Sequence, residues 1–410
     1  MAYNRAEQGL RWRQGLASGD ERTALLLSGD LGAGHKIVAT AVADILGESR
    51  WHTSIVDCMG LMGSRAAAAG QACFRRLLGI PGVYDAFHFS CLRQGTWLAA
   101  AADREARRRI MPRLAETVAA QRPDVTMAVF ATGASAAAEL VRRRQGPPAI
   151  AFCTDVVPHS MWVHEGIAAY LVICGAAAAS VRRFQPRANV VVVPRPVRGS
   201  FRHPPTQSAA REVLGLSATE PCVLLMSGGW GLGPIAEAAC GLADAGLAVL
   251  AVAANNAALH ERLAELARTR PRLHPFGFTT EIPTLMAASD LVVTASGVTC
   301  SEARAVGRAL LLIDVVPGHG RENLQYELEL GNASVASTEP ALLTAAALTA
   351  LGRAEIAPPQ DPTAQFAKGL AEVLAELGLA RGMVAQRAKS MVAQRADREP
   401  LGAPTAHQRT

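Results

Sequence analysis

A chain of 410 residues has room for two domains, and with half of them hydrophobic it can bury a core in each, which excludes disorder throughout. Basic side chains number 41 against 35 acidic, for a formal charge of +6, yet only Lys36, Lys368 and Lys389 are lysines; this arginine and alanine enrichment is a compositional bias rather than a nucleic-acid signal. The charge is uneven, with 24 basic and 15 acidic residues in 1–200 and 17 and 20 in 201–410, so an anionic partner is expected for the first half: nucleic acid, a membrane surface or an acidic substrate.

The N-terminal run MAYNRAEQGLRWRQG is charged and has no apolar core, so no signal peptide is expected. Uncharged apolar stretches such as 166–181 fall short of the ~20 residues that span a bilayer. The eight cysteines form no CxxC pair and mostly sit in apolar runs, as small buried hydrophobes do in a reducing compartment. A cytoplasmic protein, free or peripheral on a membrane, is expected.

Along the chain, short β-rich runs alternate with helical stretches. TALLLS (23–28) reads as a strand, followed by a glycine-rich loop and a helix over 34–46. HTSIVDC (52–58), VTMAVFAT (125–132), AIAFCTD (149–155), AYLVICG (169–175) and NVVVVP (189–194) continue the strands, with helices near 134–145 and 176–184. Continuous apolar strands of this kind belong to a parallel α/β sheet covered on both faces. The stretch 60–122 is the exception. It is mostly helical, and its arginines at 75, 76, 93, 104, 107, 108, 109 and 113 are interleaved with Phe74, Tyr84, Phe89, Trp97 and other apolar residues.

A Pro- and Arg-rich linker is expected at 194–207. The series then restarts with CVLLMSG (222–228), LAVLAVAAN (247–255), LHPFGF (273–278), LVVTASG (291–297) and ALLLIDVV (309–316). The expected layout is an N-terminal extension (1–22), two Rossmann-like doubly wound domains (23–198 and 208–355), and a segment 356–410 holding one last helix. MVAQRA occurs twice in that tail, at 383–388 and 391–396, and is read as appended sequence without a function.

Three motifs carry chemistry. In SGDLGAGHKIVATAV (28–42) a strand runs through a glycine turn into a helix whose free N–H groups suit an anion, with His35 at the helix start as a candidate general base. It is not a Walker loop, because no GK[ST] follows. In FCTDVVPHSMWVHEG (152–166) Asp155 ends a strand, and His159, Trp162 and His164 follow on a loop; no compact third ligand makes a zinc site of the two histidines. In the second half, LLMSGGWGLGPI (224–235) is another glycine loop. A long segment from Phe276 to Ala333 combines Gly297, Thr299, Glu302 and a Gly-His-Gly loop leading to Glu322 and Asn323. Backbone amides there suit phosphates, and a carboxylate one helical turn in can accept both hydroxyls of a ribose.

GAGH, TDVVPHSMWVH and GFTTEIPTLMAASDLVVTASGVTCSEARAVG, in that order, resemble glycosyltransferase family 28. Together with FRRLLGIPGVYDAFHF (74–89) they are similar to its monogalactosyldiacylglycerol synthase and processive diacylglycerol glucosyltransferase group. The resemblance covers roughly residues 23–335. It implies a GT-B fold, with two Rossmann-like domains facing a cleft, the acceptor on the first and a UDP-sugar co-substrate on the second. Transfer would invert the anomeric centre with no metal-binding DxD motif and no further cofactor. Carried over, Gly228, Gly229 and Gly231 would approach the diphosphate, Phe276, Gly277 and Phe278 would flank the uracil, and Glu302 would hold the ribose. Gly297 and Thr299 would lie near the phosphates. His319, Glu322 and Asn323 would touch the sugar or its phosphates. His35 and Asp155 would face the acceptor hydroxyl, either being the base, with Gly32, Gly34, His159 and Trp162 on the acceptor side.

The chain departs from the family pattern in three places. TASGVTCSE is one residue short and lacks a preceding basic residue, His319–Gly320 stand where Gln-Glu is usual, and Pro194 replaces a glycine. The implied function is transfer of a hexose to a lipid acceptor, diacylglycerol in the first instance, at an anionic membrane surface on the inner face of the plasma membrane. A soluble metabolite as acceptor, or nucleotide-sugar binding without transfer, are the competing readings.

Overall fold

Two six-stranded parallel sheets organise the protein. The computed structural model describes residues 22–78, 80, 82–353 and 360–379; the N-terminal extension and the MVAQRA repeats lie outside the described residues. In the first sheet β1 (Arg22–Ser28), β2 (Trp51–Asp57), β3 (Val125–Ala128), β4 (Ala149–Cys153), β5 (Ile167–Val172) and β6 (Val190–Val192) run in the order β2-β1-β3-β4-β5-β6. In the second, β7 (Cys222–Met226), β8 (Ala248–Val252), β9 (Leu273–Phe276), β10 (Leu291–Ala295), β11 (Ala309–Ile313) and β12 (Ala333–Ala336) run β12-β11-β10-β7-β8-β9. Strands β4, β7, β8, β10 and β11 are buried along their whole length, which is why their sequences are near-continuous apolar runs interrupted only by Thr294.

Each sheet has one point where strand order reverses. In the first it lies between β1 and β3, in the second between β7 and β10. Ligands of open α/β sheets bind outside the carboxyl ends of strands at such points. The two glycine loops singled out in the sequence follow β1 and β7, so topology brings both to these positions. Strand β12 escaped the sequence reading because ASVA is only four residues long and half of it is exposed, so it leaves no continuous apolar imprint.

The expected linker is not a free tether. Val197 and Phe201 are buried in the second domain's core, Gly199 N–H donates to Asp44 at 3.0 Å, and Arg202 pairs with Glu48. The helix Gln207–Val213 opens the second domain. The last helix, Thr363–Glu376, returns to the first domain, where Phe366, Leu370, Val373 and Leu374 join the core around Phe152 and Val193. Gly369 is needed there, since a Cβ would lie 2.4 Å from a Val193 methyl. The segment 60–122 is helical as expected, with helices Ser64–Leu78, Val83–Phe87 and Trp97–Gln121 and a π-helical turn at His88–Leu92.

The returning helix makes the first domain's stability depend on residues more than 160 positions beyond its other core strands. Truncating the fully buried Phe366 to alanine should cost about 3–5 kcal/mol, read as a lowered urea midpoint for the first domain; an unchanged midpoint would show the helix to be dispensable.

Candidate functional site

The carboxyl edges of the two sheets face one another, and their glycine loops meet. A Cβ on Gly229 would lie 2.9 Å from the Ala33 methyl, and one on Gly318 would lie 2.6 Å from the Tyr84 ring. These contacts explain two glycines by close approach rather than by turn geometry alone. Gly32, Gly228 and Gly297 instead have open space where a side chain would project.

Around this junction stands a polar cluster drawn from both domains. His35 lies in the first turn of the helix Gly34–Glu48, and its Nδ1 lies 2.7 Å from the Val129 carbonyl just past β3. A carbonyl only accepts, so Nδ1 carries the proton and Nε2 keeps its lone pair. The ring packs edge-on against Phe130. Burial holds this imidazole below the ordinary histidine value, against the opposing pull of Asp155.

Asp155 lies just beyond β4, and its Oδ2 accepts from Trp162 Nε1 at 3.0 Å. Burial pushes this carboxyl up, but His319, His159, His35 and the Trp162 indole together outweigh it and leave it below the usual carboxylate range. Trp162 is buried in the first domain's core, so it acts on the site through Asp155 and does not line an acceptor surface. His159 is held down to about 4, chiefly by burial, and burial likewise lowers His319. His164 is turned away from the cluster, with Nε2 on the Met161 carbonyl.

The second domain supplies the helices Val298–Ala305 and His319–Glu329, whose N-termini begin at Gly297 and Gly318. Glu302 is 1% exposed and paired with Arg198. Nε and Nη2 of Arg198 both reach Oε1, at 2.9 and 2.8 Å, so Arg198 does not engage the second oxygen. Burial raises this carboxyl to about 7 despite the guanidinium. Thr299 is buried beside it. Phe276 ends β9, Gly277 approaches His260, and Phe278 is 74% exposed on the following loop.

The three residues carried over as sugar contacts all touch the first domain. His319 Nδ1 meets Tyr84 Oη at 3.2 Å. Glu322 takes His88 Nε2 at 3.2 Å and Arg93 Nε at 3.0 Å. Asn323 Oδ1 accepts from Val156 N–H at 3.1 Å. Asp85 adds two more ties, to Gly318 N–H at 2.6 Å and to Arg321 at 3.0 Å. The structure therefore brings His35, Asp155, His159, His319 and Glu322 together, and it makes the donor-side helix His319–Glu329 part of the domain interface.

Sequence reasoning missed Arg195, Arg198, Tyr84, Asp85 and His88. They lie in segments that the sequence does mark, YDAFH in the stretch similar to the family and PRPVR at its Pro194 departure, but no local signal gives these five side chains a role. Arg107, one of the arginines interleaved with apolar residues in 60–122, is committed internally, with Nη1 on Asp103 at 3.2 Å and on Ser135 Oγ at 3.0 Å. Among the described residues no group of three or more His, Cys, Asp or Glu side chains is arranged to hold a metal ion.

Comparison with known proteins agrees with the sequence pattern. No protein-family model matches the chain. The processive diacylglycerol β-glucosyltransferase of Bacillus pumilus is 30% identical over 193 residues, 46% of this chain and 50% of that enzyme. Its Bacillus subtilis counterpart is 27% identical over 56% of this chain and 62% of that enzyme, and monogalactosyldiacylglycerol synthase 1 of Arabidopsis thaliana 29% identical over 53% and 44%. The chain resembles the diacylglycerol glycosyltransferases of family 28. It spans about half the length of the curated relatives it matches. In structure it is similar to UDP-GlcNAc 2-epimerase from Neisseria meningitidis bound to UDP-GlcNAc, with a TM-score of 0.52, 11% identity and coverage of 92% and 100%. The S. aureus MnaA–UDP structure gives 0.53, 11%, 88% and 98%. At these identities the likeness speaks for fold alone, and that fold is GT-B.

A carboxyl that titrates near 7 in the folded protein but near 4.5 when unfolded makes the folded state bind the extra proton between those values. Its contribution to stability is full below the unfolded value and lost as pH rises through the folded one. Wild type should therefore lose stability relative to Glu302→Gln between about pH 5 and pH 8, measured by urea titration; a difference between the two proteins that does not change with pH contradicts the burial of Glu302.

Proposed function

We propose that the protein transfers a hexose from a UDP-sugar to a hydroxyl of a lipid acceptor, diacylglycerol being the first candidate, with inversion and without a catalytic metal. The observation that carries this reading is the meeting of His35 and Asp155 with His319 across the domain junction, at the carboxyl edges of both sheets. The likeness to diacylglycerol glycosyltransferases supports the choice of substrates.

In this mechanism His35 Nε2 removes the proton of the acceptor hydroxyl as its oxygen attacks the anomeric carbon. The bond from that carbon to the UDP oxygen breaks, and the leaving charge goes to the diphosphate. Nδ1–H on the Val129 carbonyl fixes the tautomer this requires, and Asp155 stabilises the imidazolium that forms. In this reading backbone amides of the Gly228–Gly231 loop and of the helix start at Gly297 face the leaving group, the role oriented dipoles play in place of a metal. The Glu302 oxygen left free by Arg198 accepts from the ribose.

An exposed apolar strip favours a lipid acceptor over a soluble one. Ile80, Val83, Phe89, Trp97 and Leu98 project to solvent around the helices flanking the π-helical turn, with Trp97 78% exposed, and the helix Ser64–Leu78 beside them buries no residue. The exposed arginines 76, 104, 108 and 109 lie on the same helices. Such a surface suits peripheral contact with an anionic bilayer. Among the described residues no helix is long and apolar enough to cross a membrane.

Incubation with a panel of UDP-sugars and a lipid extract, followed by mass spectrometry, tests the reading directly: a glycosylated lipid is expected and should persist in EDTA, while UDP binding without any product would leave only a binding protein. His35→Ala and Asp155→Asn should each lower turnover by roughly 10²–10⁴-fold with UDP affinity kept; loss of UDP binding in both would contradict the division of roles between domains. Trp97→Ser should weaken co-sedimentation with anionic vesicles, whereas Arg107→Gln should not, because that guanidinium is held by Asp103 and Ser135.

A further inference from the structure

His88 stands out among the groups the mechanism leaves unused. It is 0% exposed, and it begins the π-helical turn His88–Leu92, a geometry that inserts an extra residue into a helical turn and recurs at functional sites. Its Nε2 lies 3.2 Å from Glu322 of the other domain, whose second oxygen takes Arg93. A carboxylate only accepts, so Nε2 must carry a proton, and in the neutral ring Nδ1 is then an acceptor. That Nδ1 is buried and has no hydrogen-bonding partner among the described residues.

The neighbourhood shows what it is placed to meet. The His88 ring is 6.0 Å from His319, at the start of the donor-side helix, and 6.3 Å from His159, on the loop that follows Asp155. His159 Nδ1 is also buried and has no partner among the described residues. Two imidazoles with unmatched nitrogens thus sit between the candidate base and the helix whose first turn carries Glu322. A buried polar atom left unmatched is costly, so a recurrent partner is expected. Nδ1 needs a hydrogen-bond donor, and a carbohydrate hydroxyl supplies one; a phosphate, which offers only acceptors when ionised, does not.

We propose that His88 is a specificity-determining residue whose Nδ1 accepts a hydroxyl of the hexose part of the donor. This rests on the UDP-sugar reading above and deepens it: selection of the sugar becomes a joint property of the two domains, because the acceptor domain supplies His88 and the donor domain, through Glu322, sets its tautomer. The segment 83–92 holds the donor-side helix through Tyr84, Asp85 and His88, so the hexose can be read only where the two domains are in contact.

Two substitutions separate the ring nitrogens. Glutamine reaches about as far as Nε2 and keeps the contact with Glu322, while asparagine offers an amide oxygen near the Nδ1 position and gives that contact up. Calorimetry with UDP, UDP-glucose and UDP-galactose should show His88→Gln losing roughly tenfold in affinity for the hexose conjugate that wild type prefers, with UDP affinity unchanged and His88→Asn close to wild type. A series of UDP-deoxyhexoses should then contain one member to which wild type and His88→Gln bind equally, the sign that residue and hydroxyl are partners. If His88→Gln binds the conjugate as wild type does, or if glutamine rescues and asparagine does not, His88 serves only as a bridge to Glu322 and the assignment is overturned. If wild type binds neither UDP nor either conjugate, the UDP-sugar reading falls and takes this one with it.

Discussion

The arrangement depends on a buried charge that neither domain satisfies alone. Glu327, on the donor-side helix, is 1% exposed and is held by Arg195 from the segment that joins the two domains and by Arg304 from its own domain. The same Arg195 reaches the Gly297 carbonyl and Ser301 on one side and the Thr154 carbonyl on the other. A buried pair of this kind adds little net stability, but removing one partner strands the other, typically at a cost of about 3–5 kcal/mol. One guanidinium therefore fixes where the end of β4, which leads into Asp155, stands relative to the helix that carries Glu302.

The rest of the junction follows from that register. With the sheet edges facing each other, Ala33 meets Gly229 and Tyr84 meets Gly318, so glycine is required where the loops touch and open space remains at Gly32, Gly228 and Gly297. Ionisable groups that would repel or be desolvated singly are gathered in complementary pairs: Asp155 among imidazoles, Glu322 between His88 and Arg93, Glu302 against Arg198. Burial and opposite charge act against each other at Asp155 and at Glu302. For Asp155 the charges prevail and the carboxyl is lowered; for Glu302 burial prevails and it is raised.

Much of the fold was legible because buried parallel strands leave a continuous apolar imprint. The runs at 23–28, 149–155, 222–228, 291–297 and 309–316 each contain a strand in the structure. The helix 363–378 was legible as a helix, but its return to the first domain was not, since its apolar face fits either core equally well in one dimension. Arg107 illustrates the same limit. Its neighbours Arg108 and Arg109 pair with exposed Glu105, while Arg107 turns inward to Asp103 and Ser135, and a run of like residues carries no mark of that difference.

Local chemistry determined two doubly wound domains, their glycine loops, and His35 and Asp155 as separate candidates, because glycine turns and strand ends are short-range signals with fixed spacing; that the two face one acceptor hydroxyl is what the family resemblance implied. Tertiary structure decided which of those residues share a space and which are engaged by others. It placed Trp162 behind Asp155 instead of on a surface, set Arg198 on Glu302, and brought His88 and Glu322, 234 residues apart, to within 3.2 Å. Such contacts are made between domains, and their energetics depend on burial that exists only once both sheets have closed on each other.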